Sequence, residues 1–90
     1  MIQSLWMGEV SNVTNDNTDV IVTLSDGRAY AFTAYTPTSL LAQMARDNLP
    51  FLVCEDLLVV RELTEANVRA AIEHILETYD IERLGIRQTA

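Results

Sequence analysis

The sequence contains no lysine. Its six basic residues are all arginines, set against thirteen carboxylates, so the net charge is −7. Nucleic-acid-binding proteins generally carry a basic patch or stripe, because neutralising phosphates drives their affinity. A surface of negative sign repels phosphate, and the same repulsion acts at an anionic membrane surface. We therefore expect neither a nucleic acid nor a membrane as partner. The charge favours a basic protein instead.

Cysteine and long apolar runs are also scarce. The one cysteine, Cys54, has no second cysteine to pair with inside the chain, which is typical of proteins in reducing compartments. The longest apolar runs, such as Leu57 to Val60, fall far short of the roughly 20 residues that a membrane-spanning helix needs. The residues after Met1 lack the basic region that begins a signal peptide. These features predict a cytoplasmic protein.

The motifs of catalysis and cofactor binding are missing. With three glycines, the chain has no phosphate-binding loop, dinucleotide fingerprint, nucleophile elbow or zinc-ligand set. His74 is the only histidine, and its helix offers only Glu77, three residues on, as a second metal ligand. Cys54 ends an apolar run without a base beside it. We therefore predict a solvated His74, a core Cys54, no metal or cofactor, and no catalytic activity.

One polar segment resembles part of a calcium loop. Asn15, Asn17 and Asp19 alternate as calcium ligands do, but the glycine and the final glutamate that an EF-hand requires do not follow. The segment 15–19 is better explained as a turn, because short polar side chains bond to their own backbone.

The apolar residues, 49% of the 90-residue chain, predict one globular domain that begins with three strands. The first is expected within residues 2–13. The second, 19–24, is dense in β-branched residues, and Asp26-Gly27 predicts a type I′ hairpin turn into the third, 28–33. Tyr30 and Phe32 share one face of the third strand, and Ala29 and Ala31 share the other.

Two helices are expected in the second half. A threonine followed by proline, Thr36-Pro37, predicts the start of the first helix, which must end near Asn48 because of the proline at position 50. Segments 51–54 and 57–61 are expected to form two short strands or one irregular strand. Thr64 is the predicted N-cap of the second helix, whose apolar residues recur at spacings of three and four.

These elements predict an α+β fold in the order β-β-β-α-β-β-α. We expect an antiparallel sheet of four to five strands with two helices on one face. The ordered domain is expected to span residues 1–84, and residues 85–90 to form a C-terminal tail.

Two stretches, residues 12–28 and 56–64, resemble stretches of small, uncharacterised bacterial proteins of unknown function. The resemblance covers about a third of the chain and implies a bacterial or phage origin. It carries no functional residue across.

The charge, the small size and the missing catalytic set favour a small acidic protein-binding module, such as an accessory protein, inhibitor, antitoxin or immunity protein. Candidate partner-binding residues are of two kinds. Trp6 and Tyr35 are aromatic and could anchor an interface or complete the core. The others are acidic and could face a basic partner: Glu55, Asp56, Glu73 and Glu77.

Two other functions are open at this point. The first is a structural homo-oligomer, such as a homodimer, that assembles through an exposed strand edge or the region of Trp6. The second, which we rank last, is an enzyme. It would require Cys54 and His74 to meet in a cleft.

Overall fold

The computed structural model describes residues 1–88. Their secondary-structure elements, in chain order, are β1 (Ile2–Met7), β2 (Asn17–Leu24), β3 (Ala29–Tyr35), α1 (Pro37–Arg46), β4 (Leu57–Val59), α2 (Glu65–Thr78), α3 (Ile81–Leu84) and β5 (Ile86–Gln88). The fold is α+β, as predicted. The described residues form a five-stranded sheet and three helices, in an order that differs from the predicted one.

The hairpin between β2 and β3 is confirmed, but its turn differs from the predicted type I′. The Gly27 N–H donates to the Leu24 carbonyl at 2.9 Å, and the Leu24 N–H donates to the Arg28 carbonyl at 2.7 Å. Only Gly27 in this turn has a positive φ, +94°, whereas a type I′ turn needs two such residues. The connection is a three-residue loop that ends in a left-handed glycine. β2 also begins at Asn17, inside the segment expected to be a turn.

The sheet is mixed, so the prediction of a purely antiparallel sheet is wrong. β1 pairs antiparallel with β2, and β2 with β3. On the other side of β3 lie two short strands: β4 runs parallel to its C-terminal half, and β5 runs antiparallel to its N-terminal half. α1 is the cause, because a helix that connects two strands can return the chain so that the second runs parallel to the first.

Residues 51–54 do not form the second short strand that was expected there. Only Leu57–Val59 pairs with β3 in this part of the chain. Phe51 and Val53 are exposed, and no ladder partner faces them among residues 1–88. This segment therefore has the composition of a strand but does not pair with one in the described part of the chain.

The segment expected to be a tail, residues 85–90, contains β5. Ile86 pairs with Ala31 of β3. Gly85 lets the chain pass close to the sheet, because a Cβ at this position would lie 2.7 Å from Cζ of Phe32. Residues 89 and 90 lie outside the described part of the chain.

The core lies between one face of the sheet and two of the helices. α2 contributes Val68, Ile72 and Ile75, and α3 contributes Ile81. β2 and β3 supply side chains of alternating positions: Val20, Val22, Leu24, Tyr30, Phe32 and Ala34. The placement of Tyr30 and Phe32 on one face is confirmed.

α1 differs from the prediction that both main helices cover one face, since its only buried residue is the polar Ser39. Hydrogen bonds hold it instead. Thr36 is its N-cap, as predicted, and accepts from the Ser39 N–H at 3.2 Å. The Thr36 N–H and the Ser39 hydroxyl both donate to the Asp16 carbonyl, at 3.1 and 2.6 Å. α1 is thus joined to the loop before β2 by polar contacts.

Across residues 1–88, none of the helices combines the length and the apolar content that crossing a membrane requires.

Candidate interaction surface

The face of the sheet opposite the core is not buried by the described helices. We call it the open face and define it by strand parity and register. Its residues are Ser4 and Trp6 of β1, Asn17, Asp19, Ile21 and Thr23 of β2, Ala29, Ala31, Thr33 and Tyr35 of β3, Leu57 and Val59 of β4, and Ile86 and Gln88 of β5. Large apolar side chains stay accessible on it: Trp6 is 54% exposed, Val59 52% and Ile86 43%.

A cross-strand row of four apolar residues runs through the middle of the open face. In the strand register Trp6 is opposite Ile21, Ile21 is opposite Ala31, and Ala31 is opposite Ile86. Directly opposed residues on one face have Cβ atoms about 4.5–5.5 Å apart, so these side chains are neighbours. The row is large at its β1 end and smallest at Ala31.

Charge is almost absent from the open face. Asp19 is its single charged residue, in a chain whose net charge is −7. Exposed apolar residues that lie together with little charge are typical of protein interaction sites, because the central parts of interfaces are depleted in charged residues. The open face has this composition.

The sequence places Trp6 outward because β1 alternates. Leu5 and Met7 pack against the core cluster, so Trp6 between them points to the other side. Tyr35 has the opposite parity from Tyr30 and lies half-buried on the open face. Neither candidate aromatic belongs to the buried core. Their positions therefore favour a role as interface anchors over a role in completing the core.

The acidic candidates Glu55 and Asp56 lie in the turn before β4 and have different environments. Glu55 is exposed, whereas Asp56 is buried and fully engaged. One carboxylate oxygen of Asp56 accepts from the Thr33 hydroxyl at 3.1 Å, and its carbonyl accepts from the Thr33 N–H at 2.9 Å. Asp56 fixes the start of β4 against β3, so its side chain has little freedom to meet a partner.

Cys54 is part of the same cluster. Its thiol donates to the second carboxylate oxygen of Asp56 at 3.0 Å, and the side chain is half-buried. The hydrogen bond to Asp56, together with burial, raises the pKa of the Cys54 thiol above its usual value. A raised pKa keeps the sulfur protonated, and the protonated form is the poor nucleophile.

The other acidic candidates, Glu73 and Glu77, are exposed on α2. Together with Met1, Ile2, Arg69 and Leu76 they line a groove of about 390 Å³ between the start of β1 and α2. α2 packs on the core side of the sheet, so this groove and the open face are separate surfaces. The six predicted partner-binding residues therefore do not form one site.

His74 is exposed on α2, where its ring makes an edge contact with Tyr79 at a centroid distance of 5.9 Å. No hydrogen bond joins His74 to Cys54 within residues 1–88; the described partner of the thiol is Asp56. The same residues contain no group of three or more histidine, cysteine or carboxylate side chains placed to hold a metal ion.

Several apolar residues of the open face were not among the sequence candidates, including Ile21, Val59 and Ile86. Ile21 could have been found, since it alternates with the buried Val20 and Val22 in a recognised strand. Val59 and Ile86 could not, because their orientation depends on pairing with β3 over a long sequence separation.

Comparison of the chain with protein-family models, with curated proteins and with solved structures found no match. The resemblance to small bacterial proteins therefore stays an expectation.

Proposed function

We propose that this protein is a small acidic protein-binding module without catalytic activity, of the accessory, inhibitor, antitoxin or immunity type, and that it binds through the open face. The observation that carries the proposal is the apolar row from Trp6 to Ile86, which bears no charge and is exposed at both of its ends. An aromatic side chain such as Trp6 buries much area at low entropic loss and is typical of interface anchors.

The charge of the chain supports a basic partner. A net charge of −7 attracts a positively charged protein over distances of the order of a Debye length, about 8 Å at physiological ionic strength. The neutral open face then makes the contact, and the charge outside it accelerates the encounter. We therefore expect a cytoplasmic partner with an apolar patch surrounded by basic residues.

The test is comparative capture of partners from the native host at low ionic strength. The bait is the wild-type protein or a variant in which Trp6 is replaced by serine. Tyr79→Ser is the matched control, because Tyr79 is 58% exposed against 54% for Trp6 and lies after α2, away from the open face. We expect one or a few proteins that bind the wild type and the Tyr79 variant but not the Trp6 variant.

A purified partner then gives a quantitative result. Truncation of an anchoring aromatic typically weakens binding by about 2 kcal/mol, roughly thirtyfold. The proposal would be rejected if Trp6→Ser and Tyr79→Ser bound every captured protein equally well. A partner whose binding depended on Glu73 and Glu77 alone would move the contact to α2.

A structural homo-oligomer is the second candidate, because β1 is an edge strand. Its only ladder partner among the described residues is β2, so the outer side of β1 offers unpaired backbone groups to another strand. Replacement of an edge residue by proline tests this. Gln3→Pro removes one N–H from β1, and loss of self-association in this variant alone would favour edge pairing.

A further inference from the structure

We propose that a second copy of this chain covers the open face, packed face to face about a two-fold axis, when the protein is concentrated and no other protein occupies the face. The inference rests on the proposed function, because it assumes that the open face is the contact surface. In the purified protein, with no partner present, the occupant of the open face is then the second copy. The dimer is then a storage form from which a partner releases the monomer.

The low charge of the face is the first argument. Two chains of net charge −7 repel each other, and the repulsion is strongest where carboxylates approach closely. The outer surface of α2, with exposed Glu73 and Glu77, is such a region. The open face brings only Asp19 from each copy, so self-association through it meets less repulsion than through the outer surface of α2.

The order of side-chain sizes in the central row is the second argument. A two-fold axis along the strands reverses the row of the second copy. Trp6 of one copy then stands opposite Ile86 of the other, and Ile21 stands opposite Ala31. An axis along the row would instead place Trp6 opposite Trp6 and Ala31 opposite Ala31, so the axis along the strands distributes large and small residues more evenly. Both copies then use the same residues, as a two-fold interface requires.

The area sets the strength of the dimer. Four strands spaced about 4.8 Å apart, each about six residues long with a rise of about 3.3 Å per residue, give a flat area of roughly 380 Å² per copy. The uneven surface of the side chains is not included in this area. Both copies together stay below the roughly 1,200 Å² under which interfaces are generally weak or transient. The dimer should therefore dissociate on dilution, which leaves the face available to a tighter partner.

The effect of salt on binding distinguishes a second copy from a basic partner. Added salt screens the repulsion between two negative chains and strengthens the dimer, whereas it weakens the attraction of a basic protein. The two occupants of the open face therefore respond to ionic strength in opposite directions.

The experiment combines sedimentation with the fluorescence of Trp6, the single tryptophan of the chain. The purified wild-type protein is measured from low micromolar to near-millimolar concentration, at low and at moderate salt. We expect reversible dimerisation that is stronger at moderate salt. The Trp6 emission should shift to shorter wavelength, and acrylamide quenching should fall, in step with the dimer fraction.

Ile86→Glu is the disrupting variant, because it adds a charge to the open face and leaves Trp6 in place as the reporter. Leu41→Glu is its control: Leu41 is also aliphatic, is 66% exposed, and lies on α1. Ile86→Glu should weaken dimerisation at least tenfold, and Leu41→Glu should change it less than twofold. Circular dichroism checks that both variants fold as the wild type does.

Three outcomes overturn the inference: a wild-type monomer at every concentration, a dimer whose Trp6 emission does not change, or equal effects of the two glutamate variants. If a monomer still bound a partner through Trp6, only the second copy would be wrong, and the proposed function would stand. If a salt-strengthened dimer formed but no partner depended on Trp6, the inference would stand and the proposed function would fail.

Discussion

Gly85→Ala tests the close approach of the chain to β3 just before β5. A Cβ at position 85 would lie 2.7 Å from Cζ of Phe32, and 3.0 Å from both Cε2 of Phe32 and Cβ of Tyr30. Carbon atoms in favourable contact are about 3.5–4.0 Å apart, so something must move by about 0.8 Å or more. Phe32 is 1% exposed and Tyr30 is fully buried, so neither can move into solvent.

The change in the free energy of unfolding caused by Gly85→Ala follows from two opposing effects. Overpacking of a core typically costs about 1–3 kcal/mol. The backbone of Gly85 has φ −104° and ψ 161°, an extended conformation that alanine adopts freely. Alanine at such a position restricts the unfolded chain and contributes about 0.4–1 kcal/mol of stability. We therefore expect Gly85→Ala to lower the free energy of unfolding by about 1–2 kcal/mol.

Urea unfolding followed by far-UV circular dichroism measures this change, and Gly27→Ala is the contrasting variant. A Cβ at Gly27 meets no atom within 4 Å, so only its φ of +94° is unfavourable for alanine. Phe32→Leu should reduce the effect of Gly85→Ala, because it removes the ring atom that clashes, but should leave the effect of Gly27→Ala unchanged. Equal or increased stability of Gly85→Ala would show that the added methyl group meets no steric resistance from Phe32 and Tyr30.

Three more predictions concern the polar clusters. Thr36→Val should lower the free energy of unfolding by about 2 kcal/mol in a urea titration, because it removes the N-cap oxygen of α1 and the acceptor of a part-buried hydrogen bond from the Asp16 N–H; an unchanged midpoint would contradict it. The pKa of Asp16 is lowered by backbone N–H groups, first that of Ser11, so its stabilising effect is present above the ordinary aspartate pKa of 3.8 and is lost as the pH falls through the lower pKa of the folded state; Asp16→Asn should flatten the acid limb of the stability curve, and a curve with the wild-type slope would argue against this role. The Cys54 thiol should react with a disulfide reagent more slowly than in the urea-unfolded chain, and faster after Asp56→Asn, because the hydrogen bond to Asp56 holds the pKa of the thiol up; equal rates in folded and unfolded protein would exclude that cause.

The parts of the fold that could be predicted depend on local patterns. The hairpin at Gly27, the caps at Thr36 and Thr64 and the two faces of β3 each follow from residues adjacent in sequence. The turn type was wrong, because Asp-Gly is compatible both with type I′ and with a loop that ends in one left-handed glycine.

The direction of β4 and the existence of β5 could not be predicted in this way. Both strands are three residues long and carry no clear alternation of their own. Their positions depend on pairing with β3, which lies more than twenty residues away from β4 and more than fifty from β5. Segment 51–54 shows the converse, since its β-type composition does not lead to strand pairing within residues 1–88.

The candidate site was predicted only in part. The aromatic candidates Trp6 and Tyr35 share the open face, but residue type alone could not show whether they were core or surface. Asp56 was selected for its charge and is instead a buried hydrogen-bond acceptor for Thr33 and Cys54. Charged residues are mostly exposed to solvent. A buried one such as Asp56 is held by contacts between strands, which the sequence around it does not show.

The most direct test of the account is a map of the contact surface by amide NMR of the labelled protein, first as its concentration rises and then as a captured partner is added. We expect the shifts to concentrate at Trp6, including its indole N–H, and at Ile21, Ala31 and Ile86. Shifts that instead concentrate at Glu73 and Glu77 on α2, with the indole signal unmoved, would contradict it.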